Sequence, residues 1–182
     1  MNKTLGLLIC LALSCHLQAQ VPSFNPKEHK ANVQFVSFNI HAPIDAFAKS
    51  HIAGAGFSYT WTRLAYKHSL PKKINFTTLG GIDYYLGKKK EIAAHNFSYG
   101  GYWYVYAQGG ASADIASKAA IMLTAGPAMG IYKGNTDFGI SSNLFGVFYI
   151  KTRLLAGPGI TFKKHNDVNA LWTIAARVSY AF

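Results

Sequence analysis

The sequence predicts an all-β fold: an eight-stranded antiparallel up-and-down transmembrane β-barrel that follows a cleaved signal peptide. Three observations point to it. Segments of about ten residues recur in which apolar and weakly polar positions alternate. Charged residues make up only 14% of the 182 residues, against about a quarter in a soluble domain, while aromatics supply another 14%. The lysines collect between the alternating segments rather than within them.

Taken in order, residues 1–19 have the make-up of a secretory signal: Lys3, a short apolar run from Leu5 to Leu13, and Leu17-Gln18-Ala19 as a small-residue cleavage site. A lipid on Cys15 is the competing reading, but Ala12 stands where a bulky aliphatic residue is wanted, which favours cleavage after Ala19. Both cysteines, Cys10 and Cys15, lie in this segment, so the mature chain is expected to carry no disulfide and no thiol chemistry. Loss of Lys3 lowers the formal charge from +11 to +10. Residues 20–32 are polar, aperiodic and contain proline, and read as a lead-in to a barrel at 33–182.

Alternation places strands at 33–42, 52–64, 74–86, 96–108, 119–132, 138–150, 153–162 and 170–182. Each is long enough to cross a bilayer obliquely, and an even number of antiparallel strands closes a sheet without leaving an edge. Sorting by parity gives one face of Phe38, Phe57, Phe76, Phe97, Trp103, Leu123, Ile140, Ile160 and Trp172. The other carries Ser37, Asn39, His41, Thr60, Thr77, Asp83, Ser98, Tyr102, Tyr104, Tyr106, Gln108, Asn143, Thr173 and Arg177. Asp83 and Arg177 are almost the only charges on that second face, whereas Lys72-Lys73, Lys88-Lys89-Lys90, Lys133 and Lys163-Lys164 fall at turns. Charges at two rims with hydroxyl and amide groups between them suit a barrel whose apolar side meets lipid. Trp61, Tyr84, Trp172 and Tyr180 would supply the interfacial aromatics.

Two segments echo each other, LTAGPAMGI at 123–131 and LLAGPGITF at 154–162, and place Pro127 and Pro158 in mid-strand. A missing N–H there predicts a bulge or kink at both. These AGP strands, the SSNLFGVFYIKTRL segment at 141–154 and the ending LWTIAARVSYAF resemble the small eight-stranded outer-membrane barrels of the OmpA/OmpX/OmpW type, especially their Bacteroidota members. The resemblance runs over about residues 33–182. It implies an outer-membrane location in a Gram-negative envelope, contact with membrane lipid and lipopolysaccharide, and delivery to the barrel assembly machinery. It also implies that Trp172, Val178, Tyr180 and Phe182 form the assembly signal.

The inward face is expected to hold a polar network of His41, Asp83, Tyr102, Tyr104, Tyr106 and Arg177, with Asp83 and Arg177 as the preferred ion pair. Eight strands leave an interior just filled by side chains, so a plug is favoured over a narrow solute channel. An enzyme acting on lipid A is the weakest alternative and would rest on Glu91, His95 and Ser98. Three residues on one strand separate His95 from Ser98, which puts them on opposite faces. The remaining histidines, including His51 and His165, are scattered singly and read as solvated loop residues with no metal spacing. No cofactor is expected. The lysine clusters suit anionic headgroups or lipopolysaccharide phosphates better than nucleic acid, for which no groove-binding element is present. The chain therefore reads as a monomeric structural or interaction barrel without evident catalysis.

Overall fold

A computed structural model describes residues 33–63, 74–92, 95–116, 119–151, 153–165 and 170–182. The expected signal segment at 1–19, the expected lead-in at 20–32 and the Lys72-Lys73 pair lie outside the described residues.

The strands are β1 (Val33–Ile44), β2 (His51–Arg63), β3 (Ile74–Gly87), β4 (Lys89–Ile92), β5 (His95–Ser98), β6 (Tyr102–Ala116), β7 (Ala119–Tyr132), β8 (Asn135–Lys151), β9 (Leu154–His165) and β10 (Leu171–Ala181). One short helix, α1 (Asp45–Ala48), follows β1. Eight strands close into a barrel in the order β1-β10-β9-β8-β7-β6-β3-β2, and β4 with β5 form a separate two-stranded hairpin. Every ladder is antiparallel, and β1 closes on β10 from Phe35↔Ala181 to Ile44↔Trp172. Closure leaves no unpaired edge in the barrel wall. No helix among the described residues is long and apolar enough to cross a membrane.

The alternation decides the two surfaces, because successive side chains on a strand point to opposite faces. On β10 the pattern is strict: Trp172, Ile174, Ala176, Val178 and Tyr180 face out, while Thr173, Ala175, Arg177 and Ser179 are buried. Phe57, Phe138 and Ile140 are 60% or more exposed, yet Asn39, Thr77, Asp83 and Lys163 are essentially inaccessible. The distribution is that of a water-soluble protein turned inside out.

Several expected elements come out differently. The strand expected at 96–108 divides: His95–Ser98 belongs to the hairpin, and the barrel strand starts only at Tyr102 and runs on to Ala116. Gly100-Gly101 make the break, whereas Gly109-Gly110, which look like a turn, stay in the ladder opposite Thr78 and Thr77. Ser98 is therefore exposed on the hairpin and not lumenal. Neither proline produces a bulge. Pairing lapses beside Pro127 on the β6 side and beside Pro158 on the β8 side, but the register resumes unchanged. A strand residue offers its N–H to one neighbour only, so each proline costs a bond on one side while the other ladder holds: Pro127↔Ile140 and Ala176↔Pro158 remain paired. The register shifts sit near the ends instead, at His51/Gly54, Asp114/Ala116 and Tyr149/Lys151.

The connections at the two ends differ. The end bearing Val33 and Ala181 also receives the β6–β7 and β8–β9 turns. The opposite end carries α1, the β4–β5 hairpin, the Lys133-Gly134 turn and the β9–β10 connection.

Candidate functional site: the interior polar column

Helix α1 folds inward over the second of these ends. Phe47 is buried, and its ring lies 5.0 Å from Tyr85, 4.6 Å from His51 and 5.9 Å from Tyr102. Lys88 Nζ holds the helix down by donating to the Ala48 carbonyl at 2.5 Å. Beneath it Tyr85, Tyr102, Tyr104 and Tyr106 form an aromatic layer, within which Tyr104 stacks 5.6 Å from Tyr106. Space for these rings comes from inward glycines on adjoining strands. A β-carbon on Gly54, Gly81 or Gly130 would collide with the ring of Tyr85, Tyr106 or Tyr102 respectively.

The charged centre joins β1, β3 and β9. Asp83 Oδ1 lies 3.2 Å from His41 Nε2, and Oδ2 lies 3.7 Å from Lys163 Nζ. Lys163 also donates to the Tyr85 hydroxyl and sits 4.0 and 3.9 Å from the centroids of Tyr85 and Tyr104. This corrects two expectations. Lys163 is not a rim lysine: parity on β9 turns it inward together with Thr161 and His165. The ion pair of Asp83 is with Lys163 and His41, not Arg177. Arg177 instead donates from Nε to Asn39 Oδ1 at 2.8 Å, and its guanidinium carbon lies 3.7 Å from the centroid of Phe145. Low-dielectric surroundings make an isolated cation costly, and a carboxylate plus two ring faces stabilise Lys163 there.

Below this centre, Arg177 apart, the column is built of neutral side chains. Gln108 donates to Ser141 Oγ at 2.5 Å and accepts from Thr124 Oγ1 at 2.7 Å and Asn143 Nδ2 at 2.8 Å. Asn39 Nδ2 donates to Ser58 Oγ at 3.0 Å, and the Ser37 and Ser179 hydroxyls meet at 2.7 Å. The three apolar side chains Phe145, Met122 and Leu155 share this volume. Alternation did not mark them, because they lie on the polar parity of their strands.

The structure thus places His41, Asp83, Tyr102, Tyr104, Tyr106 and Arg177 inside the barrel. It adds Lys163, Tyr85, His51 and His165, which residue type alone assigned to turns or left out. His51 and His165 are buried rather than solvated: Ser50 Oγ meets His51 Nδ1 at 2.8 Å, and the Tyr102 hydroxyl meets His165 Nε2 at 2.7 Å. Trp172, Val178 and Tyr180 face outward on β10. Phe182 is half-buried; its N–H donates to the Gln34 carbonyl at 3.2 Å and its ring lies 6.2 Å from Tyr180. Of the three residues for an acyl-chain enzyme, Ser98 is exposed with Oγ on the Tyr99 carbonyl at 3.4 Å, and Glu91 and His95 pair with Asn96 and Ile92 in the hairpin ladder. No group of three metal-ligating side chains converges among the described residues.

A depression of about 430 Å³ is walled by outward-facing Tyr59, Thr78, Gly80, Ala107 and Gly109. A second cavity, beside Arg177, holds about 30 Å³.

No protein-family model and no curated protein matches the sequence. Solved structures do match. The crystal structure of Ail, the attachment invasion locus protein of Yersinia pestis, is 11% identical and superposes with a TM-score of 0.51, covering 85% of this chain and 99% of that one. The Ail crystal structure in complex with the heparin analogue sucrose octasulfate gives 11% identity and a TM-score of 0.54, over 83% of this chain and 99% of that one. The backbone structure of the outer-membrane protein Ail in a phospholipid bilayer nanodisc gives 12% and 0.50, over 84% and 100%. At such identities the likeness is one of architecture: the chain has the fold of the small eight-stranded outer-membrane β-barrels.

Proposed function

We propose that this protein is an outer-membrane barrel of a Gram-negative envelope with a structural or interaction role, and that its lumen is a plug rather than a pore. One observation carries the reading: a predominantly apolar exterior surrounds an interior rich in buried polar side chains under the α1 cap. Such an exterior is stable only against hydrocarbon. The close bonding of Gln108, Asn143, Thr124 and Ser141 across the lumen supports a plug.

The interaction surface is the end carrying α1 and the hairpin. Exposed Lys49, Lys89 and Lys133 gather there against Asp45 and Asp137, and Lys133 Nζ lies 5.7 Å from the centroid of Phe97. A basic, aromatic rim suits polyanionic groups such as lipopolysaccharide phosphates. The Ail complex with sucrose octasulfate supports the choice of polyanion as a probe. Trp172, Val178, Tyr180 and Phe182 serve as the assembly signal in this reading, supported by their outward or terminal placement on the strand that closes against β1.

Fractionation with a heat-modifiable gel shift tests location, and recovery in a detergent-free periplasmic extract would overturn it. Planar-bilayer recording tests the plug: no steady ohmic current is expected, and a reproducible single-channel conductance would replace it with a channel. Lipid A mass spectra with and without the gene should be identical; an altered acylation pattern would revive the enzyme reading.

A further inference from the structure

Among the described residues the interior buries two basic side chains, Lys163 and Arg177, and one carboxylate, Asp83. Asp83 Oδ1 lies 3.2 Å from His41 Nε2 and Oδ2 lies 3.7 Å from Lys163 Nζ, so the cation beside this carboxylate is Lys163 and not Arg177. Arg177 is 5% exposed and has only a neutral amide oxygen and a phenyl face as partners through Asn39 and Phe145. Its Nη2 has no hydrogen-bond partner among the described residues, and neither has the hydroxyl of Thr60, which is 2% exposed.

These two side chains wall the same cavity. It measures about 30 Å³ and is completed by Phe35, Met122, Val147, Leu155 and Ser179. That is room for about one or two water-sized groups. A guanidinium taken out of water without a counter-charge is costly, and an anion bonded by Nη2 and the Thr60 hydroxyl would gain charge-assisted hydrogen bonds in low dielectric. The apolar walls of Met122, Leu155 and Val147 and the small volume favour a small, weakly hydrated monovalent ion.

We propose that this cavity is a binding site for a single halide-sized monovalent anion, held by Arg177 Nη2 and the Thr60 hydroxyl, which completes the charge balance of the barrel interior. The rim lysines proposed to meet polyanions are not part of the site.

The test uses the mature barrel, refolded in detergent, with bromide as the probe. Crystals grown with bromide as the only halide should show an anomalous peak within hydrogen-bond reach of Arg177 Nη2 and Thr60 Oγ1. In solution, the unfolding midpoint should rise saturably with bromide when a bulky organic anion keeps ionic strength constant. Arg177→Gln should weaken the apparent bromide affinity at least about tenfold, as expected for loss of a charge-assisted hydrogen bond. Thr60→Val leaves the cation in place and should weaken it less. If Arg177→Gln does not fold, the wild-type map and Thr60→Val decide. A wild-type map with ordered water and no anomalous signal in the cavity, or a midpoint indifferent to which anion is present, would overturn the site. Bromide occupancy and bilayer conductance are separate measurements, so this site and the plug can fail independently.

Discussion

Asp83 is the residue on which the interior turns. It is the only buried carboxylate among the described residues, and it lies 3.7 Å from Lys163 Nζ and 3.2 Å from His41 Nε2. Removing one partner of a buried pair leaves an uncompensated charge, at a cost of about 3–5 kcal/mol. Asp83→Ala should therefore lower the heat-modification temperature steeply, and Asp83→Ala with Lys163→Met should recover much of the loss. If the double variant is no better than the single one, the pairing is not what stabilises this layer. Gly56 stands against the same carboxylate, since a β-carbon there would strike Asp83 Oδ1 and the Ile82 carbonyl. Gly56→Ala should cost about 1–3 kcal/mol by overpacking, read from the unfolding midpoint. Parity placed Asp83, His41 and Arg177 on the inward face correctly. Lys163 escaped because a Lys-Lys pair near a strand end looks like a rim, and only the extent of β9 to His165 shows that it lies inside.

At the scale of elements, the β7–β8 hairpin and α1 do different work. The two-residue turn of Lys133 and Gly134 has φ of 50° and 86°, the left-handed pair that matches strand twist in a tight hairpin. Gly134→Ala should cost about 1–2 kcal/mol, because a β-carbon is strained there; the unfolding midpoint measures it. Helix α1 has only four residues and no side-chain cap, so it holds through Phe47 and the Lys88 tether rather than by its own propensity. Phe47→Ala should destabilise by about 3 kcal/mol and speed amide exchange at the α1 end, while the Asp83–Lys163 layer below keeps bilayer current absent. A four-residue helix offers no periodicity to read, which is why the sequence alone does not reveal it. The split of β5 from β6 was hidden for a related reason: alternation continues through both, and only the ladder shows that they pair with different strands.

For the molecule as a whole, the outward band defines the solvent. Phe57 lies midway along β2 and is 60% exposed. In lipid vesicles Phe57→Arg should cost about 2–4 kcal/mol, falling to about 0–1 for a charge at the rim. Equal costs at both depths would mean that the band does not meet hydrocarbon. What the sequence by itself determined is this partition of surfaces. A period of two is a local property of each strand, so apolar-out and polar-in could be assigned strand by strand without knowing any neighbour. Which inward groups meet was decided only by the tertiary structure. His41, Asp83 and Lys163 lie on three strands and converge through closure, stagger and register, which no single strand encodes. Arg177 was left without a carboxylate by the same geometry.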